Sequence, residues 1–192
     1  MHAPMISFLL NILNHFNYTK MTKSALKEAL EASFMTIASE TAHLDEAKFF
    51  APIGEKWSVA ENMLHLTQSA KSLNQGMALP KSVLEQQFGK TDRPVMSYDE
   101  VVARYLDALG TGIKARGAFL PVLPENPSKD ILLSSFVKHH QLLANFLDDW
   151  SETELDELNI LHPVLKKLTI REVYFFMHYH TGHHSNAIAK AL

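Results

Sequence analysis

The chain is expected to fold as an all-α protein, an antiparallel four-helix bundle with one extra helix inserted between bundle helices two and three. Three observations carry this expectation. Apolar residues recur at helical spacing along four long segments, and no segment shows the apolar–polar alternation of a half-buried strand. Ser or Thr followed three residues later by Glu stands at the head of several segments, the signature of a capping box. The prolines fall between the segments and not within them.

Taken in order, residues from about Lys23 to Leu44 place Leu26, Leu30, Phe34, Ile37 and Leu44 on one helical face. The stretch Asp45 to Trp57 contains Pro52 and Gly54 and reads as a loop. Ser58 with Glu61 caps the second helix, whose stripe is Val59, Met63, Leu66, Ala70, Leu73 and Met77. Pro80 to Met96 is irregular or briefly helical. Ser97 with Glu100 then opens the inserted helix through Val101, Tyr105, Leu109 and Ile113. Pro121, Pro124 and Pro127 stiffen the return, and Asp130 to Trp150 is helical, with Leu132, Phe136, Leu143, Leu147 and Trp150 on its face. An acidic turn, 152–157, leads to a loop at His162-Pro163. Thr169 with Glu172 opens the last helix.

A length of 192 residues suits one domain with a full core. Residues 21–192 are expected to form that domain. Residues 1–20 read as a short N-terminal extension, with Met21 as a candidate start. The net charge of −3 argues against a nucleic-acid partner, which normally meets a basic stripe. The apolar run Met5–Leu13 is too short to span a bilayer, lacks a basic flank and is broken by Asn11, so no membrane association is expected. With no cysteine, disulfides and thiolate ligands are excluded, and a cytoplasmic location is expected. No nucleophile elbow, phosphate loop or dinucleotide fingerprint occurs.

The chemistry concentrates in His178-Tyr-His180-Thr-Gly-His183-His184. His180 and His184 are one turn apart, about 40° around the helix, the spacing with which one helix offers two nitrogens to one metal ion. They interrupt the stripe Val173, Met177, His180, His184, Ala187, Ala191, where a histidine needs a partner. His180 with His183 is the rival pairing. A buried pair satisfied by hydrogen bonds is the bland alternative. His65 points away from the centre of its stripe, among Glu61, Gln68 and Ser72, and periodicity alone reads it as solvated. Glu61 completes the cap with Ser58, or else orients His65 or serves as a general base. His139 lies on the apolar face of its helix as a core or pocket histidine, with a fourth-ligand role as the minor alternative. The remaining histidines, His140, His162, His178 and His183 among them, read as surface or packing residues.

Three landmarks occur in a familiar order. Lys56-Trp57-Ser58, Glu61 and His65-Leu66 resemble the start of the second helix in the DinB-like (YfiT-like) metal-binding four-helix proteins. His162-Pro163-Val164-Leu165 and Leu168-Thr169-Ile170-Arg171-Glu172 resemble the lead-in to their last helix. His180-Thr-Gly-His183-His184 resembles their closing motif. The resemblance spans roughly 22–192, with a longer insertion at 79–127 and with Ser185-Asn186-Ala187-Ile188 after His184, where the family tends to have a small residue and Gln.

It implies one divalent metal (zinc, nickel or iron) held by His65, His180 and His184, and an open position of the kind catalytic sites keep. It implies a small-molecule substrate and an activity of the thiol-dependent S-transferase or metal-dependent hydrolase kind. The thiol would have to be a low-molecular-weight cosubstrate. It also makes a homodimer plausible. The competing class is a non-catalytic metal-binding bundle with a stress-response or interaction role.

Overall fold

Thr22, Ser58, Ser128 and Thr169 each accept a hydrogen bond from a backbone N–H in the first turn of a long helix. In the computed structural model, which describes residues 21–192, these are the four helices of the bundle: α1 (Lys23–Ala42), α3 (Val59–Met77), α6 (Lys129–Phe146) and α8 (Ile170–Ile188). The N-terminal extension and its candidate start lie at or beyond the edge of the described residues. The three capping boxes expected at Ser58, Ser97 and Thr169 are all formed, and a fourth, Ser151 with Glu154, opens the short helix α7 (Glu152–Glu157).

Around the core, α1 and α3 each pack against both α6 and α8. The two helices that come first in sequence therefore sit diagonally across the bundle, unlike the neighbours of an up-and-down bundle with short loops. Leu26, Leu30, Phe34 and Ile37 of α1 meet Met63, Leu66 and Ala70 of α3, Phe136 and Leu143 of α6, and Val173, Tyr174 and Met177 of α8 in one buried core. The Tyr174 hydroxyl donates to Leu143 O at 2.8 Å, which removes the cost of burying it.

The sequence reading is corrected in three places. The loop 45–57 contains the short helix α2 (Glu46–Phe50), capped by Asp45, and buries Phe49. The inserted helix, α5 (Tyr98–Gly110), stops short of Ile113 and is followed by a 3-10 turn at Gly117–Phe119, while the stretch read as irregular or briefly helical holds the short helix α4 (Lys81–Phe88). No strand was expected, yet β1 (Asn159–His162) and β2 (Lys166–Thr169) pair antiparallel, with His162 opposite Lys166. Four residues per strand are too few for alternation to register.

The hairpin packs on α4 and α8 and approaches α3 closely at one point. A Cβ added to Gly76 would lie 2.7 Å from Ile160 Cδ1, so only glycine accommodates the present Ile160 rotamer. Arg104 donates to Leu165 O at 2.8 Å, and Arg93 grips Glu172 through two bonds of 2.6 Å. These contacts fasten the insertion to the lead-in and first turn of α8.

The core histidine of α6 is His140 and not His139, which is only half-buried. Both residues lie one turn beyond Phe136, and periodicity does not separate them. His140 donates from Nδ1 to Phe136 O at 2.8 Å, packs on the rings of Phe34 and Phe136, and leaves Nε2 buried without a partner. Burial pushes its pKa down to about 4.

The unfolded chain binds this proton near pH 6.5 and the folded protein does not. The stability His140 contributes in neutral form is therefore complete above pH 6.5 and is lost as pH falls toward 4. Denaturant unfolding at pH 7.5 and pH 5 is expected to show a loss about 2 kcal/mol greater in the wild type than in His140→Leu. Equal losses would rule out this origin.

Candidate metal centre

The second turn of α3 and the third and fourth turns of α8 face each other across the bundle, and this places His65 opposite His180 and His184. All three are buried, at 8%, 3% and 8% exposure. Each offers a ring nitrogen, and these nitrogens lie within 4.8 Å of one another. The rings of His180 and His184 are 4.8 Å apart and nearly perpendicular, and the His65 ring lies 5.0 and 4.8 Å from them. The closest nitrogens are Nε2 of His65 and Nε2 of His180, 3.1 Å apart.

Hydrogen bonds fix which nitrogens face inward. His65 Nδ1 sits 2.7 Å from Phe119 O, and a carbonyl only accepts, so Nδ1 carries the proton and Nε2 keeps its lone pair. Asn62 donates from Nδ2 to Trp57 O and Ser58 O at 3.1 and 2.8 Å, which leaves its Oδ1 to accept from His184 Nδ1 at 2.7 Å. His184 is thereby held with Nε2 free. His180 Nδ1 is buried and has no partner. Trp57 packs on His65 and lies parallel to the ring of His184, and Phe176 stacks on His180 at 5.0 Å.

Burial, reinforced by mutual repulsion, holds the His180 and His184 pKa values well below 6.5. Burial also lowers that of His65, against the raising influence of the Phe119 carbonyl. The three imidazoles are thus neutral at neutral pH, the form that ligates metal. Their donor set fits a divalent cation of the zinc, nickel or iron class.

His183, the rival partner of His180, is exposed and borders the site. His139 lies outside the cluster. Glu61 accepts from Ser58 N and Oγ at 2.7 and 2.9 Å as the cap, and the acceptor for His65 is Phe119 O, not Glu61. His162, read as surface or packing, packs on Phe176 at 4.3 Å. Its Nδ1 accepts from the N–H groups of Val164 and Leu165, so its proton sits on Nε2.

Two supports escaped the sequence reading. Asn62 lay in plain view, an amide one turn before His65 and beside the apolar stripe. The Phe119 carbonyl has no residue signature at all. Asn62→Ala is expected to weaken zinc binding about 10–100-fold by freeing the His184 ring. Competition against a chromophoric chelator measures this, and an unchanged affinity would remove Asn62 from the account.

The cluster opens into a cavity of about 1090 Å³ whose walls include Trp57, Tyr105, Phe119, Ile160 and Phe176. The insertion supplies one wall, because α5 packs on α8 and the 3-10 turn packs on α3. Among the described residues, no helix is long and apolar enough to cross a membrane.

A four-helix bundle with three buried, converging imidazoles beside a deep cavity defines a class of metal-binding helical proteins. The model of the DinB superfamily matches residues 24–188, and the chain belongs to that superfamily. Among solved structures, it is similar to YfiT from Bacillus subtilis, described as a probable metal-dependent hydrolase with an unusual four-helix bundle topology. The TM-score is 0.58 at 15% identity, covering 90% of this chain and 87% of that one. No curated protein matches the chain.

Proposed function

We propose that the protein is a metal-dependent enzyme that transfers a low-molecular-weight thiol to an electrophilic small molecule. The observation that carries this reading is the set of three buried, neutral imidazoles, two of them fixed with Nε2 lone pairs turned inward, at the floor of a large cavity. When bound, a divalent cation supplies there a Lewis acid that acidifies a thiol or a water.

His65, His180 and His184 would hold the ion. Phe119 O and Asn62 keep two of the rings in the required tautomer, and Trp57 and Phe176 hold ring planes by packing. In the reaction the thiol proton leaves, the sulfur forms a bond to the electrophilic carbon, and the leaving group departs with its electron pair and takes up a proton. The chain has no cysteine, so the thiol comes from solution.

Glu55 is the only carboxylate bordering the cavity among the described residues, and no carboxylate is hydrogen-bonded to the cluster. That favours a thiol, whose ordinary pKa near 8.5 needs little lowering, over water, which needs much more. Hydrolysis is the second reading, and the likeness to YfiT supports it.

Zinc-, nickel- and iron-loaded protein would be assayed with a panel of small thiols against an aryl halide, and separately with activated esters. Thiol-dependent turnover that disappears in His184→Ala is the expected result. Ester cleavage alone would select the hydrolase reading. Metal binding without turnover in either assay would leave a non-catalytic metal-binding bundle.

A further inference from the structure

The outer half of the cavity differs from its floor. Ile113, Leu120 and Leu161 border it and are 39%, 45% and 58% exposed, so apolar surface is left open to water around the mouth. The same cavity is also lined by Lys56, Lys114 and Lys190, all exposed and none with a carboxylate partner among the described residues. Residues 1–20 contain no Asp or Glu that could pair with them. Three lysines against Glu55 give this rim an excess of positive charge, on a chain whose net charge is −3. Elsewhere, Lys27, Lys81 and Lys90 are each neutralised by an acidic neighbour at 2.6–2.9 Å.

We infer that the site takes an extended apolar molecule bearing one anionic group, of the alkyl- or aryl-carboxylate class. The apolar body would lie along the aromatic and aliphatic wall, and the anion at the lysine rim. The inference rests on the proposal that this cavity is the substrate site. The cavity, at about 1090 Å³, is slightly larger than the roughly 300–1,000 Å³ usual for small-molecule sites, enough for an extended ligand. A neutral ligand of the same length would use the wall and leave the lysines unpaired. A cationic one would be repelled by them.

Trp57 borders the cavity and Trp150 does not, so a Trp150→Phe protein reports on the cavity through a single indole. This full-length variant, stripped of metal, would be titrated with decanoate, decanol and decylamine while Trp57 emission is followed. Decanoate is expected to bind about tenfold more tightly than decanol, with decylamine weakest. Adding Lys114→Glu and Lys190→Glu, both surface changes, should abolish or invert that order.

Equal affinity for decanoate and decanol, or an order unchanged by the charge reversals, would overturn the inference. Because the titration uses metal-free protein, it stands apart from the catalytic reading. Metal binding by the same preparations reports on that reading separately.

Discussion

His180→Leu is expected to lower zinc affinity by more than about 100-fold while leaving metal-free stability within about 1 kcal/mol of wild type. His180 is the least exposed of the three candidate ligands, and its surroundings do not satisfy it. Its Nδ1 has no partner, and its Nε2 faces the unprotonated Nε2 of His65 at 3.1 Å. Whichever nitrogen carries the proton, one polar group on the ring stays buried and unpaired, a costly arrangement in a core. An apolar side chain of similar volume removes that cost as well as the ligand, so the two effects separate. Zinc at 1,000 times the wild-type dissociation constant should stabilise the wild type by about 4 kcal/mol and His180→Leu by no more than about 1.4 kcal/mol. Thermal shift with and without zinc measures the contrast. An equal zinc-induced shift in the variant would place the ion elsewhere.

Glu172→Ala is expected to cost about 3 kcal/mol, lowering the melting temperature by about 10 °C, with no loss of intrinsic metal affinity in the fraction that remains folded. Its fully buried carboxylate accepts four hydrogen bonds. Arg93 supplies two at 2.6 Å, and the backbone N–H groups of Met96 and Thr169 supply one each at 2.7 and 2.8 Å. The side chain thus closes the cap of α8 and fastens the insertion to it. Removing it strands a guanidinium that is two-thirds buried, together with two backbone donors. Arg93 at the edge leaves some relief by solvent, which keeps the cost below that of a fully enclosed pair. A change under 1 kcal/mol in urea unfolding would show that the insertion is held by packing alone.

The helices were legible because capping chemistry is local. Ser58, Ser97 and Thr169 bond to residues three positions away, and a linear reading finds such pairs directly. The His180–His184 pair was legible for the same reason, since one helix carries both. His65 was not legible from periodicity. It faces away from the stripe of α3, and only the wall built by Phe119 and the insertion turns that flank from solvent into a cleft. The family resemblance supplied what periodicity withheld.

The diagonal placement of α1 and α3 depends on how long connections cross the bundle ends, and sequence spacing does not encode that. The hairpin escaped notice because its four-residue strands are too short to show a pattern of their own, and they are held by packing on α4 and α8, with Ile160 set against Gly76 of α3. Asn62 is the instructive omission. Its role follows from a contact 122 positions away with His184, which no local rule reveals.

His65, His180 and His184 together are expected to hold one divalent cation. Elemental analysis of untagged protein, after reconstitution with zinc, nickel and iron in turn and removal of loosely bound ions, tests this most directly. About one equivalent of at least one metal is expected in the wild type and essentially none in His180→Ala or His184→Ala. No bound metal in the wild type under any of the three conditions, or an equivalent retained by both variants, would contradict it.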